Sequence, residues 1–167
     1  METEKKLVIV RHGKSDWSHE DRSDVDRPLK DRGVRDAYKM SQRLLQQNIQ
    51  PELVVSSPAN RALHTAVIFC RELEIPLKNL LIDESFYISY EEKVFETLKQ
   101  FDNKVNSLMI FGHNPTFTSL ANMFVSDEIE NIPTCGIVIL NFKTKDWQEI
   151  SANTLESYVF DYPKKSG

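Results

Sequence analysis

Short apolar runs alternate with longer amphipathic segments along the chain. Residues 7–10 form a continuous, largely β-branched run, a pattern typical of a strand covered on both faces in a mostly parallel sheet. Similar runs predict three further strands, at residues 53–55, 80–82 and 108–111. Helical spacing predicts the intervening helices, over residues 31–47, 60–73, 90–100 and 116–124. This alternation predicts an α/β fold, with three α/β/α layers around a mostly parallel central sheet.

The C-terminal third departs from this alternation. An apolar run at 136–142, a polar turn at 143–146 and a second run at 147–150 predict a hairpin that adds an antiparallel edge to the sheet. The tail, 158–167, is predicted to be an edge or loosely ordered. Because no repeat or Pro/Gly/Ser-rich linker divides the chain, we expect one domain over residues 1–167.

Composition narrows the class of protein. The formal net charge of −4 gives no global attraction to nucleic acid or anionic membranes, so no nucleic-acid or membrane partner is expected. The N-terminal apolar run is too short for a signal sequence, which predicts a cytoplasmic protein. Cys70 and Cys135 have no metal-binding spacing and are interpreted as buried thiols.

Distinctive polar groups follow three of the predicted strands. Arg11-His12-Gly13 follows the first, a segment ending in Arg61 follows the second, and His113 follows a later one. Ligands of open α/β sheets gather at the carboxyl ends of the strands, so these groups are expected to converge. Two arginines and two histidines without an acidic cluster predict an anion site, with phosphate as the simplest ligand.

A neutral imidazole is a competent nucleophile for phosphoryl transfer, and fixed cations can stabilise the charge on the phosphoryl oxygens. His12 is therefore interpreted as the nucleophile, with Arg11, Arg61 and His113 holding the oxygens. Gly13 is expected to let the backbone pass close to the anion. The long polar loop at 14–27 begins at this strand end and could form one wall of a pocket.

Together these motifs resemble the histidine phosphatase superfamily, the phosphoglycerate mutase-like enzymes, and especially its small SixA-like phosphohistidine phosphatase branch. The resemblance runs along most of the chain. Beyond the Arg-His-Gly tripeptide, it is carried by Lys14-Ser15-Asp16-Trp17, Asp26-Arg27-Pro28-Leu29 with Gly33, Ser56-Ser57-Pro58-Ala59 followed by Arg61-Ala62 and Thr65-Ala66, and Gly112-His113-Asn114-Pro115.

This resemblance implies that His12 is phosphorylated, that His113 contacts the phosphoryl group, and that Arg11 and Arg61 bind phosphate. It makes Arg27 a further candidate ligand and implies neither a cofactor nor a metal. Ser18 stands where the mutase and sugar-phosphatase branches commonly have a phosphate-contacting asparagine, so Ser18 is a candidate contact that is weakened or replaced.

The proton donor is a separate question. The mutase and sugar-phosphatase branches use a glutamate after the second helix, which makes Glu84 the candidate here and Asp16 the substitute. An alkoxide leaving group needs a proton in the transition state, whereas the P–N bond of phosphohistidine breaks readily once the imidazole is protonated. A missing donor would favour phosphoramidate substrates.

The leading hypothesis is a phosphatase that acts on phosphohistidine in a protein. The alternatives are a phosphomonoesterase for a small phosphorylated metabolite, a non-catalytic phosphate-binding module and a metal-dependent hydrolase that lacks an evident third ligand. Individual residues also have structural alternatives. Arg27 could pair with Asp24 or Asp26, Glu84 could be an ordinary exposed carboxylate, and Trp17 could pack the loop or line the pocket mouth.

Overall fold

The computed structural model describes residues 4–166, whose core is a six-stranded mixed sheet. The strands lie in the order β3-β2-β4-β1-β5-β6, where they are β1 (Lys5–Arg11), β2 (Leu53–Ser56), β3 (Leu80–Ile82), β4 (Ser107–Gly112), β5 (Ile137–Phe142) and β6 (Leu155–Asp161). Strands β1 to β4 are parallel to one another, whereas β5 is antiparallel to both of its neighbours, β1 and β6. The predicted α/β fold with an antiparallel edge is confirmed.

Helices cover both faces of the sheet. They are α1 (Asp31–Gln46), α2 (Asn60–Glu72), α3 (Glu91–Leu98) and α4 (Thr116–Asn122), within one or two residues of the predicted bounds. Val8 and Val10 of β1 pack in one core with α1 and α2, and Leu7 and Ile9 pack in the other with α3 and α4. Successive side chains of β1 thus point to opposite faces of the sheet, which gives the three layers. Each buried aliphatic side chain contributes about 1.5–3 kcal/mol of burial free energy. No helix within residues 4–166 is long and apolar enough to cross a membrane.

The predicted hairpin is wrong in its second strand. Residues Trp147–Glu149 form a short 3-10 helix, and the strand that pairs with β5 is β6. Trp147 is fully buried, and its indole Nε1 donates to the Val105 carbonyl at 2.8 Å. This residue therefore packs in the core and does not extend the sheet. The tail is accordingly a regular edge strand as far as Asp161.

The long polar loop after β1 is closed at its base. Ser15 and Leu29 form an isolated antiparallel bridge, and the Lys30 backbone N–H donates to the Lys14 carbonyl at 2.8 Å. Between these points the chain includes a short 3-10 helix, Asp24–Asp26, which contacts α2. The loop therefore returns to the carboxyl ends of the parallel strands, which is where ligands bind in open α/β sheets.

Candidate active site

The three strands that carry the polar motifs are neighbours in the sheet, in the order β2, β4, β1. Arg11 pairs with Gly112, and the His12 backbone N–H continues the ladder by donating to the Gly112 carbonyl at 3.1 Å. On the other side of β4, the Ser57 N–H donates to the Phe111 carbonyl at 3.0 Å. Backbone hydrogen bonds thus fix the three strand ends relative to one another.

A cavity of about 250 Å³ lies at this edge of the sheet. His12 and Arg61 are only 7% and 5% exposed, and the His12 and His113 rings lie 5.1 Å apart between centroids. The cavity is lined by Arg11, His12, Lys14, Ser15, Trp17, Arg27, Arg61, His113, Asn114 and Thr134. The structure therefore brings together all four residues that the sequence placed around a phosphate, with Arg27 beside them.

The His12 ring is held in one protonation state. Its Nδ1 lies 2.6 Å from the Gly13 carbonyl oxygen, which can only accept a hydrogen bond, so Nδ1 carries the proton and Nε2 keeps its lone pair. Burial, together with His113 and the two arginines, lowers the pKa of His12 to about 3 despite that hydrogen bond. At neutral pH the ring is an uncharged imidazole whose Nε2 can attack.

Three buried nitrogens around His12 have no hydrogen-bond partner among the described residues. They are Arg11 Nε, Arg61 Nε and His113 Nδ1, each on a side chain that lines the cavity. Buried donors are normally satisfied, and each that is not costs about 1–3 kcal/mol. The cavity thus has three unsatisfied nitrogens in its lining residues, and a phosphoryl group has three non-bridging oxygens.

Asp24 joins the two arginines of the loop and helix. Its carboxylate accepts from Arg27 Nη1 at 2.7 Å, from Arg61 Nη2 at 3.0 Å and from the Tyr87 hydroxyl at 2.6 Å, and its backbone carbonyl accepts from Arg61 Nη1 at 2.7 Å. Partial burial alone would raise the pKa of Asp24, but the hydrogen bonds from Tyr87, Arg61 and Arg27 hold it below the usual range. Both terminal nitrogens of Arg61 therefore donate to Asp24, whereas its buried Nε has no partner among the described residues.

Arg27 forms the ion pair with Asp24 that was one alternative for it, and its role as a phosphate ligand stays a prediction. It pairs with Asp24, and it lines the cavity while its guanidinium lies 3.5 Å from the centroid of the Trp17 ring. Trp17 is 69% exposed and lines the cavity, so it lies at the cavity mouth, where its ring stacks on Arg27.

Three other predicted residues lie elsewhere. Ser18 is exposed, and its N–H donates to Asp16 Oδ1 at 2.8 Å outside the cavity. Glu84 is exposed at the start of a 3-10 helix and lines neither this cavity nor the groove beside it. Asp16 borders a separate surface depression with Leu29 and Lys30.

Gly13 lies where the chain passes close to α1 and α2. Its N–H donates to Thr65 Oγ1 at 3.0 Å, and a Cβ here would lie 2.8 Å from the Gly33 carbonyl oxygen. A side chain would not fit here because the segment that follows β1 passes close to Gly33 of α1. The expected approach of the Gly13 backbone to an anion stays a prediction.

Sequence reasoning missed Asp24, Tyr87 and Thr65 as supports of the site. Asp24 appeared only as a possible partner of Arg27, and Tyr87 carries no motif. The Tyr87 ring lies 5.5 Å from the His113 ring, and it also lines a neighbouring groove of about 460 Å³ that shares Arg61 and His113 with the cavity. The groove is otherwise largely apolar, with Ile88 and Tyr90 exposed on its rim.

The model of the histidine phosphatase superfamily (branch 1) matches residues 7–107, and the chain belongs to this family. It is an enzyme of the histidine-nucleophile phosphatase class. Within residues 4–166, no three side chains of histidine, cysteine, aspartate or glutamate are grouped as a metal site.

Several known proteins are similar to this chain in sequence or in structure. An uncharacterized chloroplastic protein of Arabidopsis thaliana is 28% identical over 156 residues, which are 89% of this chain and 71% of the relative. A 2,3-bisphosphoglycerate-dependent phosphoglycerate mutase of Nautilia profundicola is 36% identical over 83 residues, only 48% of this chain and 36% of the mutase. The structure of the protein histidine phosphatase SixA complexed with tungstate has a TM-score of 0.76 at 21% identity, over 95% of this chain and 97% of that one. The last similarity shows the shared fold.

Proposed function

We propose that this enzyme is a phosphohistidine phosphatase, in which His12 Nε2 takes the phosphoryl group from a phosphohistidine of another protein and passes it to water. The observation that carries the proposal is the set of three unsatisfied buried nitrogens on Arg11, Arg61 and His113 around a neutral His12. Such groups stabilise charge on the phosphoryl oxygens without reorganising during the reaction.

The reaction has two displacements at phosphorus. In the first, a bond forms from His12 Nε2 to phosphorus as the P–N bond of the substrate breaks, and the departing imidazole takes a proton from solvent. In the second, water attacks phosphorus as the bond between phosphorus and His12 Nε2 breaks. The protons of the water leave with the inorganic phosphate, and His12 returns to its neutral state. During both steps the Gly13 carbonyl holds the Nδ1 proton and keeps the ring oriented.

The nearby carboxylates support a P–N substrate. Hydrogen bonds hold Asp24 ionised, and hydrogen bonds from Ser18 keep the pKa of Asp16 below its usual range. Glu84 lies outside the cavity lining. The free ring nitrogen of phosphohistidine takes up a proton with a pKa of about 6.5, so at neutral pH solvent can protonate it and the group leaves as neutral imidazole, whereas an alkoxide needs a proton donor in place.

The surroundings of the cavity favour a protein over a small polar metabolite. The adjoining groove offers apolar surface from Tyr87, Ile88 and Tyr90, which suits the residues that flank a phosphohistidine. The proposal also includes a cytoplasmic location. Buried free thiols at Cys70 and Cys135 support it, because disulfides are rare in that compartment.

Rapid-quench labelling tests the nucleophile. With a ³²P-phosphohistidine protein as donor, the wild type should form acid-labile protein-bound phosphate, and His12→Ala should form none and lose about 10⁴-fold or more in kcat. His64→Ala, which removes an exposed histidine of α2, is the matched control and should label normally. Normal turnover by His12→Ala would contradict the mechanism.

The substrate class needs its own measurement. The kcat/KM for a phosphohistidine protein should exceed that for phosphomonoesters, and Glu84→Gln and Asp16→Asn should leave both values unchanged. Preference for a phosphomonoester, with a loss of that activity in Glu84→Gln, would instead establish the metabolite phosphatase.

A further inference from the structure

We infer that Ser57 is a positioning residue that places the proton of His113 on Nδ1, so that this nitrogen donates to the phosphoryl group. The inference rests on the proposed function, because it concerns the histidine that is proposed to contact the phosphoryl oxygens. The evidence for it is the pair of hydrogen bonds made by the buried Ser57 hydroxyl.

The Ser57 hydroxyl is fully buried and has two hydrogen-bond neighbours. The Ala59 backbone N–H donates to Ser57 Oγ at 3.1 Å, and His113 Nε2 lies 2.8 Å from the same oxygen. A hydroxyl has one proton to donate and two lone pairs. Since Ala59 can only donate, His113 Nε2 is the acceptor available to the Ser57 proton.

This arrangement determines the state of His113. Burial first, and then the positive charge of Arg61, lowers the pKa of His113 to about 4, so the ring is neutral at physiological pH. A neutral imidazole carries one proton, and an Nε2 that accepts from Ser57 places it on Nδ1. If Nε2 donated instead, the Ser57 proton would be buried without an acceptor among the described residues.

The consequence appears at the other nitrogen of the ring. His113 Nδ1 is buried and unpartnered, on a side chain that lines the cavity with His12. With a proton it is a donor for a phosphoryl oxygen, and without one its lone pair would repel that oxygen. Histidine in water favours the proton on Nε2, so Ser57 reverses the intrinsic preference of the ring.

The adjacent Ser56 provides a matched control. It is also fully buried, but its hydroxyl donates to the Ser57 backbone carbonyl at 2.8 Å and does not contact His113. Ser56→Ala and Ser57→Ala therefore remove the same atom from neighbouring buried positions, and only the second alters the environment of the histidine.

The test is the protonation state of His113 in the ¹⁵N-labelled full chain, read from two-bond ¹H–¹⁵N correlation spectra and assigned with His113→Gln. The wild type and Ser56→Ala should show a protonated Nδ1 and an unprotonated Nε2. Ser57→Ala should move part of the proton population to Nε2, and Ser57→Thr, which restores a hydroxyl, should return the wild-type pattern.

Turnover provides the second readout, with phosphoramidate as the probe. Because a preorganised donor to transition-state oxygens contributes about 10²–10³ in kcat, and Ser57→Ala keeps part of the Nδ1–H population, kcat should fall by about tenfold to a hundredfold with little change in KM. Ser56→Ala should keep the wild-type kcat.

A wild-type spectrum with the proton on Nε2 would overturn the inference without any variant, and so would a Ser57→Ala protein with unchanged spectrum and kcat. The spectrum is measured on the free protein and does not depend on the substrate. An error in the proposed substrate class would therefore leave it intact, whereas a failed spectrum would leave the phosphatase assignment standing.

Discussion

Strand β1 carries a cationic side chain at each end, fully buried at Lys5 and partly buried at Arg11, and the hydrogen bonds of the two differ. At its start, Lys5 is fully buried, and its Nζ donates to the Asn103 carbonyl at 2.7 Å, the Val105 carbonyl at 3.0 Å and Asn106 Oδ1 at 3.0 Å. At its end, Arg11 donates from Nη1 to the Ile132 carbonyl at 2.9 Å but keeps Nε buried without a partner among the described residues.

The difference separates a structural role from a functional one. An ammonium group has three donors, and Lys5 uses all of them within the fold. Arg11, Arg61 and His113 each keep one nitrogen unsatisfied beside His12. Since an unsatisfied buried donor destabilises the folded state, we interpret these three as groups whose partner is the substrate. Changes at the carboxyl end of β1 should therefore alter turnover, and changes at its start should alter stability.

Among changes to the residues around His12, the largest effect is expected from Arg61→Lys. Lysine keeps the charge but has neither the planar fork that Asp24 holds nor the Nε left for a phosphoryl oxygen. The kcat should fall by about 10²–10³, as for loss of one preorganised donor. Arg71→Lys, at the exposed end of the same helix, should have wild-type kcat. If Arg61→Lys kept most of its activity, the unsatisfied Nε would have no role.

A smaller effect is expected from Asp24→Asn. The variant removes the charge that aligns Arg27 and Arg61 and replaces one accepting oxygen with a donor, so the arginines should lose their orientation. We expect kcat/KM to fall by about tenfold and tungstate to bind more weakly in calorimetry, the size expected for a hydrogen bond to a charged group.

Asp26→Asn is the control for Asp24→Asn, because Asp26 lies in the same 3-10 helix and accepts from the Ser23 hydroxyl at 2.9 Å. Tighter tungstate binding by Asp24→Asn would show that Asp24 competes with the ligand instead of positioning the arginines.

The smallest effect on turnover is expected from Lys5→Met. Methionine fills a similar volume but leaves the acceptors around Nζ unpaired, so the free energy of unfolding should fall by about 1–3 kcal/mol while kcat stays unchanged. Chemical denaturation and steady-state kinetics measure the two quantities. Lys6→Met, on the neighbouring position of β1, should change neither. A loss of kcat in Lys5→Met would remove the distinction between the two ends of the strand.

Much of the fold was readable from local pattern. The four helices begin and end within about two residues of their predicted bounds, because amphipathic spacing and turn residues are local properties. The prediction of the hairpin was wrong at Trp147, because a short apolar run is compatible with both a strand and a buried 3-10 turn. Only the site occupied by the indole, beneath the core and against Val105, distinguishes them.

The amino-acid sequence by itself determined the family, the layered sheet and the group of Arg11, His12, Arg61 and His113 at neighbouring strand ends. It could do so because parallel strands bring their carboxyl ends to one edge whatever the details of packing. The tertiary structure alone decided that Asp24 joins two arginines, that Glu84 lies outside the cavity, and that Ser57 faces His113 Nε2. Those properties depend on hydrogen bonds between segments distant in the chain, which no local pattern encodes.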